Sequence, residues 1–165
     1  MQERIAVYPT TADPPTIGHA DILKRLAAKF DRIYWVAAKN PYKDPIFPLE
    51  MRLKMMDQCI QHLQLKNVIR DDFSGAIYRY AKTKNAGFLL RGLRNSTDFQ
   101  SEIELANVNR SLDNSIETIC IFANPELSLV SSSLVREFAR LNEDYSKYVI
   151  PEVEALIKQF FYHQS

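Results

Sequence analysis

Short apolar runs alternate with longer amphipathic stretches along most of this chain, and few folds accept that rhythm. Residues 4–8 (RIAVY), 32–38 (RIYWVAA), 67–70 (NVIR), 87–90 (GFLL) and 116–122 (IETICIF) are short and apolar, mostly rich in β-branched or aromatic side chains, and read as strands. Residues 18–30, 48–63, 75–85 and 97–112 carry helical spacing between them. Strand followed by helix, five times over, predicts a parallel sheet with helices on both faces, because parallel neighbours need a crossover that is usually helical. The expected class is α/β: a Rossmann-like, doubly wound, five-stranded parallel sheet, closed by C-terminal helices at 132–141 and 151–163.

The 165 residues suit one domain, 1–165, and neither a repeat nor a linker interrupts them. A net charge of +1 lacks the basic footprint of a general nucleic-acid binder, so an anionic ligand must be met by local charge. There is no apolar stretch of the ~18 residues that span a bilayer, and no basic segment followed by an apolar one at the N-terminus. The expectation is a cytoplasmic protein with no membrane partner. Cys59 and Cys120 fall inside apolar patterns without metal-ligand spacing, and both are expected in the core.

Ligands of open parallel sheets bind beyond the carboxyl ends of the strands, where turns lead into helix N-termini with free N–H groups. Those turns read TTADPPTIGH, KNPYKDP, RGLRNSTDF and ANPELSLVSSSLVRE after strands one, two, four and five. They collect His19, Lys43, Arg91, Arg94, Arg136 and three consecutive serines on one sheet edge. The four glycines form neither GxGxxG nor GxxxxGK, and no Gly-x-Ser-x-Gly elbow occurs, so dinucleotide, P-loop and hydrolase-triad chemistry all lack their signatures. Cations and hydroxyls without a nucleophile–base pair suit phosphoryl-type transfer, in which positioning and charge neutralisation supply most of the rate. Pro14 and Pro15 stiffen the first turn, and Asp13 is expected to fix its backbone.

Thr16-Ile17-Gly18-His19 after the first strand and Val130-Ser131-Ser132-Ser133-Leu134-Val135-Arg136 after the fifth resemble the TxGH and (I/V)SSxxxR-like motifs of nucleotidyltransferases. Arg91-Gly92-Leu93-Arg94, then Asp98-Phe99, Glu102 and Asn107-Val108-Asn109-Arg110, look like the bacterial phosphopantetheine adenylyltransferases. The likeness runs from 8 to about 149. It implies AMP transfer from ATP, with Mg²⁺, to 4′-phosphopantetheine by direct attack of the acceptor phosphate on the α-phosphorus, and a homo-oligomer, usually a hexamer. It implies catalysis by His19, Lys43 and Arg91, and acceptor binding by Thr11, Lys43, Ile77 and Arg91. For ATP it implies Thr11, Ala12, His19, Gly92, Leu93, Arg94, Glu102, Leu127, Ser128, Leu129, Val130, Ser131, Ser132 and Ser133.

The chain departs from the family's GTFDPxTxGH pattern at Thr10, where glycine is usual, and at Ala12, where phenylalanine is. Ile17 replaces a common asparagine and Leu127 an aromatic residue, so the departures fall on nucleotide contacts. Thr10 is expected to crowd the backbone that approaches phosphate. Three alternatives stay open on the residues alone: another acceptor such as nicotinamide mononucleotide, cytidylyl transfer, or a nucleotide sensor without turnover. Simpler readings exist too. Arg94 and Glu102 fit a structural ion pair, and one serine of the triplet suffices as a helix cap.

Overall fold

The computed structural model describes residues 3–39 and 44–162. Its parallel sheet runs β3-β2-β1-β4-β5, with β1 Ile5–Thr10, β2 Arg32–Ala38, β3 Val68–Phe73, β4 Phe88–Leu93 and β5 Glu117–Phe122. The helices are α1 Ile17–Ala27, α2 Leu49–His62, α3 Ile77–Thr83, α4 Ser96–Leu112, α5 Ser132–Arg140 and α6 Pro151–Tyr162. The α/β class and the doubly wound parallel sheet are as expected.

Side chains along β2 show how the sheet is buried on both faces. Ile33, Trp35 and Ala37 enter a core built with Leu23 and Leu26 of α1, Met55, Met56 and Cys59 of α2, and Val153 and Ile157 of α6. Val36, between them in sequence, points the other way and meets Val7, Tyr80, Ala81 and Leu89 under α3. The C-terminal stripe Val153, Leu156, Ile157 and Phe160 packs onto the first core, where the Phe160 ring lies 4.9 Å from that of Phe47.

Three strands are longer than their apolar runs. β3 continues through Asp71 and Asp72, β1 through Pro9 and Thr10, and β4 through Arg91 and Gly92. β3 is an edge strand whose exposed positions accept charge. In β4 the backbone stays paired, Arg91 opposite Cys120 and Gly92 opposite Ile121, although hydropathy falls at the arginine. Arg91 and Gly92 are therefore strand residues and not part of the turn that follows.

Cys59 is buried as expected, but Cys120 is exposed. It lies on β5, the other edge strand, beside α4, a helix that buries none of its residues. An apolar pattern there reports half-covered surface, not core.

The chain winds outward from β1 to β3, then returns to place β4 on the other side of β1. This reversal makes the β1/β4 junction the topological switch point. Pairing between these strands covers only Ala6↔Phe88 and Val7↔Leu89. Beyond it they part, and the guanidinium of Arg91 reaches across, donating from Nη1 to the Pro9 carbonyl at 3.2 Å.

Candidate active site

A cavity of about 870 Å³ opens at this junction. Its wall takes Thr10, Thr11, Ala12, Gly18 and His19 from β1, α1 and their connection, and Arg91, Gly92 and Arg94 from β4 and its end. Glu102 of α4 and Leu127, Val130, Ser131, Ser132, Ser133 and Arg136 also line it. The structure thus brings together residues more than a hundred positions apart in sequence.

The connection from β1 to α1 is held from three directions. Asp13, 2% exposed, accepts hydrogen bonds from the Ile46 and Phe47 N–H groups at 3.0 and 2.9 Å. Arg136 of α5 donates from Nη1 to the Asp13 carbonyl at 2.6 Å and pairs with its carboxylate at 3.3 Å. Arg52 of α2 donates to the carbonyls of Thr11 (2.8 Å) and Phe47 (3.1 Å). Burial lowers the Arg52 guanidinium from its ordinary value, against the pull of Asp13 and Asp72. Asp13 does fix backbone, but the backbone of the segment entered from Lys43 and not of its own turn. Ala12 between these anchors has φ of 49°, a left-handed conformation that costs a non-glycine residue roughly 1–2 kcal/mol.

His19 is the third residue of α1 and accepts a 3.0 Å hydrogen bond on Nδ1 from the Thr16 backbone N–H. It thereby fills the position that glutamate or glutamine takes in a capping box. A backbone N–H can only donate, so Nδ1 is the unprotonated nitrogen and the ring proton sits on Nε2. The Thr16 hydroxyl lies 3.0 Å from the same Nδ1. Gly92 faces α1 closely: a Cβ there would lie 2.4 Å from Ile22 Cδ1.

The ion pairs differ from the simple sequence expectation. Glu102 does not pair with Arg94. It takes Arg91 in a two-point contact, Nε to Oε2 at 2.5 Å and Nη2 to Oε1 at 2.6 Å. Arg94 pairs four residues along with Asp98, Nε to Oδ2 at 2.9 Å and Nη2 to Oδ1 at 3.1 Å. Burial alone would raise the Asp98 carboxyl; the side-chain and backbone hydrogen bonds from Arg94 outweigh it and hold the group below its usual value. The stability from this pair is therefore present above the ordinary carboxylate range and is lost as pH falls through the lowered value.

The serines divide their work. Ser131 caps α5 by accepting from the Leu134 N–H at 3.1 Å. Ser132 donates to the Pro14 carbonyl at 2.7 Å, tying α5 to the first turn. Ser133 accepts from Arg136 Nη2 at 3.3 Å.

Several expected residues do not line the cavity. Leu93 is buried in the core, Leu129 is 84% exposed, and Ser128 donates to the Pro125 carbonyl within its own turn. Ile77 starts α3 and packs against the second core cluster. Lys43 lies outside the described residues. Lining residues that sequence reasoning had not singled out include Lys39, Asp44 and Ser101. Lys39 stands in the turn after β2, which was a signal; Ser101 sits mid-helix and gave none.

The class defined by this fold and cleft is that of the α/β nucleotidyltransferases: residues 7–138 match the cytidylyltransferase-like family, and the chain belongs to it. The particular kinship is closer. The chain is 38% identical over 161 residues, 98% of its own length and 87% of the relative's, to the phosphopantetheine adenylyltransferase of Nostoc punctiforme. The resemblance in the motifs is borne out across nearly the whole chain. Among solved structures, a Vibrio parahaemolyticus protein assigned as a nicotinate-nucleotide adenylyltransferase superposes with a TM-score of 0.74 at 18% identity, over 96% of this chain and 93% of that one. The Plasmodium falciparum nicotinic acid mononucleotide adenylyltransferase complexed with NaAD does so at 0.74 and 15%, over 96% of each chain. These two show the shared fold.

Proposed function

We propose that this protein transfers AMP from ATP to 4′-phosphopantetheine, giving dephospho-coenzyme A and pyrophosphate. The observation that carries this reading is one cavity in which His19, Arg91, Arg94 and the serine motif converge, in a chain with a phosphopantetheine adenylyltransferase as a close relative. An oxygen of the acceptor phosphate forms a bond to the α-phosphorus while the bond to the bridging oxygen breaks and pyrophosphate departs. No proton need be removed from the attacking phosphate, which explains a site without a general base. His19 donates from Nε2–H to an α-phosphoryl oxygen as charge develops there, aided by the N-terminus of α1. Arg91 and Lys43 hold phosphates in line, and Thr11 takes the acceptor. Arg94, Ala12, Gly92, Leu127 and residues 130–133 serve the nucleotide.

Among the described residues no group of three or more His, Cys, Asp or Glu side chains is placed to hold a metal ion. Mg²⁺ enters as the counter-ion of ATP, held by its phosphate oxygens. The first test is pyrophosphate release from the purified protein with MgATP, comparing 4′-phosphopantetheine, nicotinamide mononucleotide and no acceptor. Release with phosphopantetheine alone is expected; release only with the mononucleotide would replace the acceptor.

The Arg91→Ala variant is expected to weaken acceptor binding by about 1.5–3 kcal/mol, the size of a charge-assisted hydrogen bond. Three of its five N–H donors are engaged by Glu102 and Pro9, which holds the guanidinium in place and leaves two for ligand. Unchanged affinity in calorimetry would remove Arg91 from the site.

A cytoplasmic location and self-association, hexameric by resemblance, belong to the same proposal. Among the described residues no helix is long and apolar enough to cross a membrane. α4 exposes Phe99 and Ile103 on one side and Leu105, Val108 and Leu112 on another, 43–54% accessible, and a second copy would cover the side bearing Val108 and Leu112. Light scattering should give a mass several times that of one chain, and Val108→Asp should reduce it; a monomeric parent would overturn the assembly.

A further inference from the structure

Thr10 is the departure from the family pattern expected to hinder phosphate. It ends β1, lines the cavity, and its Oγ1 accepts a 2.9 Å hydrogen bond from the indole Nε1–H of Trp35. Trp35 is fully buried on β2, where it pairs with Tyr8, two residues before Thr10. Its ring centroid lies 6.4 Å from that of His19. Trp35 thus stands behind the part of the cavity wall that Thr10 and His19 line.

The direction of that hydrogen bond decides what Thr10 has left to offer. An indole N–H donates and cannot accept, so it occupies a lone pair of Oγ1. The hydroxyl proton must go elsewhere. Among the described residues no hydrogen bond has the Thr10 hydroxyl as donor, and Thr10 lines a cavity shared by Lys39, Arg91, Arg94 and Arg136 and by the carboxylates of Asp13, Asp44, Asp98 and Glu102. Both substrates proposed above carry phosphate oxyanions, which accept.

We propose that the Thr10 hydroxyl donates a hydrogen bond to a phosphoryl oxygen of a bound substrate, and that Trp35 is the positioning residue that aims it. The proposal rests on the transferase reading above. A β-branched residue where the family has glycine then adds a phosphate donor instead of obstructing one. The buried indole gains the acceptor it needs in the same contact. Two phosphates meet in this site, and the hydroxyl serves one of them.

The test is calorimetry on the full chain with MgATP and, separately, with 4′-phosphopantetheine. Thr10→Val keeps the shape and removes the donor; it should weaken one of the two ligands by about tenfold, as expected for a hydrogen bond to a charged group. Loss in the ATP arm assigns the hydroxyl to the nucleotide, and loss in the other assigns it to the acceptor. Thr10→Ser, which keeps donor and acceptor, should stay within about twofold of the parent. Thr10→Gly serves if valine, by orphaning the indole N–H, prevents folding. Trp35→Phe should weaken the same ligand in the parent but add nothing in the Thr10→Gly background, whereas a merely structural role would add in both. Parent-like affinities for both ligands in folded Val and Gly variants overturn the proposal and leave the transferase reading standing. A parent that binds both yet releases no pyrophosphate overturns that reading instead.

Discussion

Replacing His19 by glutamine is expected to lower kcat by roughly 10²–10³-fold, the usual size of losing one transition-state donor, while the fold keeps its stability. The choice of glutamine follows from the structure. Nδ1 of His19 caps the Thr16 N–H, and the proton on Nε2 is the one that the proposed transfer uses. Alanine removes both, and the lost cap costs about 1 kcal/mol on its own. Glutamine at the third helical position restores the cap, as in a capping box, and removes only the imidazole. Kinetics and urea unfolding on the two variants therefore separate the roles. Both should lose turnover alike and only alanine should unfold earlier. A kcat loss below about threefold for glutamine would take His19 out of the chemistry and leave it as a helix cap.

What the sequence made legible here is whatever depends on local pattern. The five strands, the crossover helices and the edge carrying the polar turns follow from periodicity and from the requirement that parallel strands bury both faces. His19 and the serines stood out because they sit in first turns of helices, where short polar residues have a mechanical reason to be. What stayed hidden depends on partners distant in sequence. Glu102 binding Arg91 instead of Arg94 is decided by the strand continuing through Arg91, which turns that side chain toward α4. Cys120 looked buried because its strand is apolar; only the strand order shows that β5 is an edge. Thr10 looked like a hindrance because its hydrogen-bond partner, Trp35, lies 25 residues away. Arg52 was invisible, since an arginine on an amphipathic helix is ordinarily a solvated one, and here it is buried against two backbone carbonyls.

The Asp13→Ala variant is expected to lose about 2–4 kcal/mol of stability, chiefly the cost of leaving the Ile46 and Phe47 N–H groups without their acceptor. Its carboxylate is almost wholly withdrawn from water and has three partners: the N–H groups of Ile46 and Phe47, and Arg136. Alanine leaves two backbone donors without an acceptor and a guanidinium whose remaining contacts are the Asp13 carbonyl and Ser133. Asparagine keeps one acceptor oxygen and loses the charge, so it should cost less, about 1.5–3 kcal/mol. The functional consequence follows from what the carboxylate joins. Segment 44–47 is entered directly from Lys43, and Asp13 and Arg52 together pin it to the turn that bears Thr11. Loosening that clamp should raise KM for both substrates more than it lowers kcat, because the phosphate-holding segments lose their mutual register while His19 keeps its own cap. Chemical denaturation with steady-state kinetics on both variants measures the two effects. A stability loss under about 1 kcal/mol for alanine would mean that water or a neighbouring acceptor replaces the carboxylate, and that the two segments are joined chiefly through Arg52.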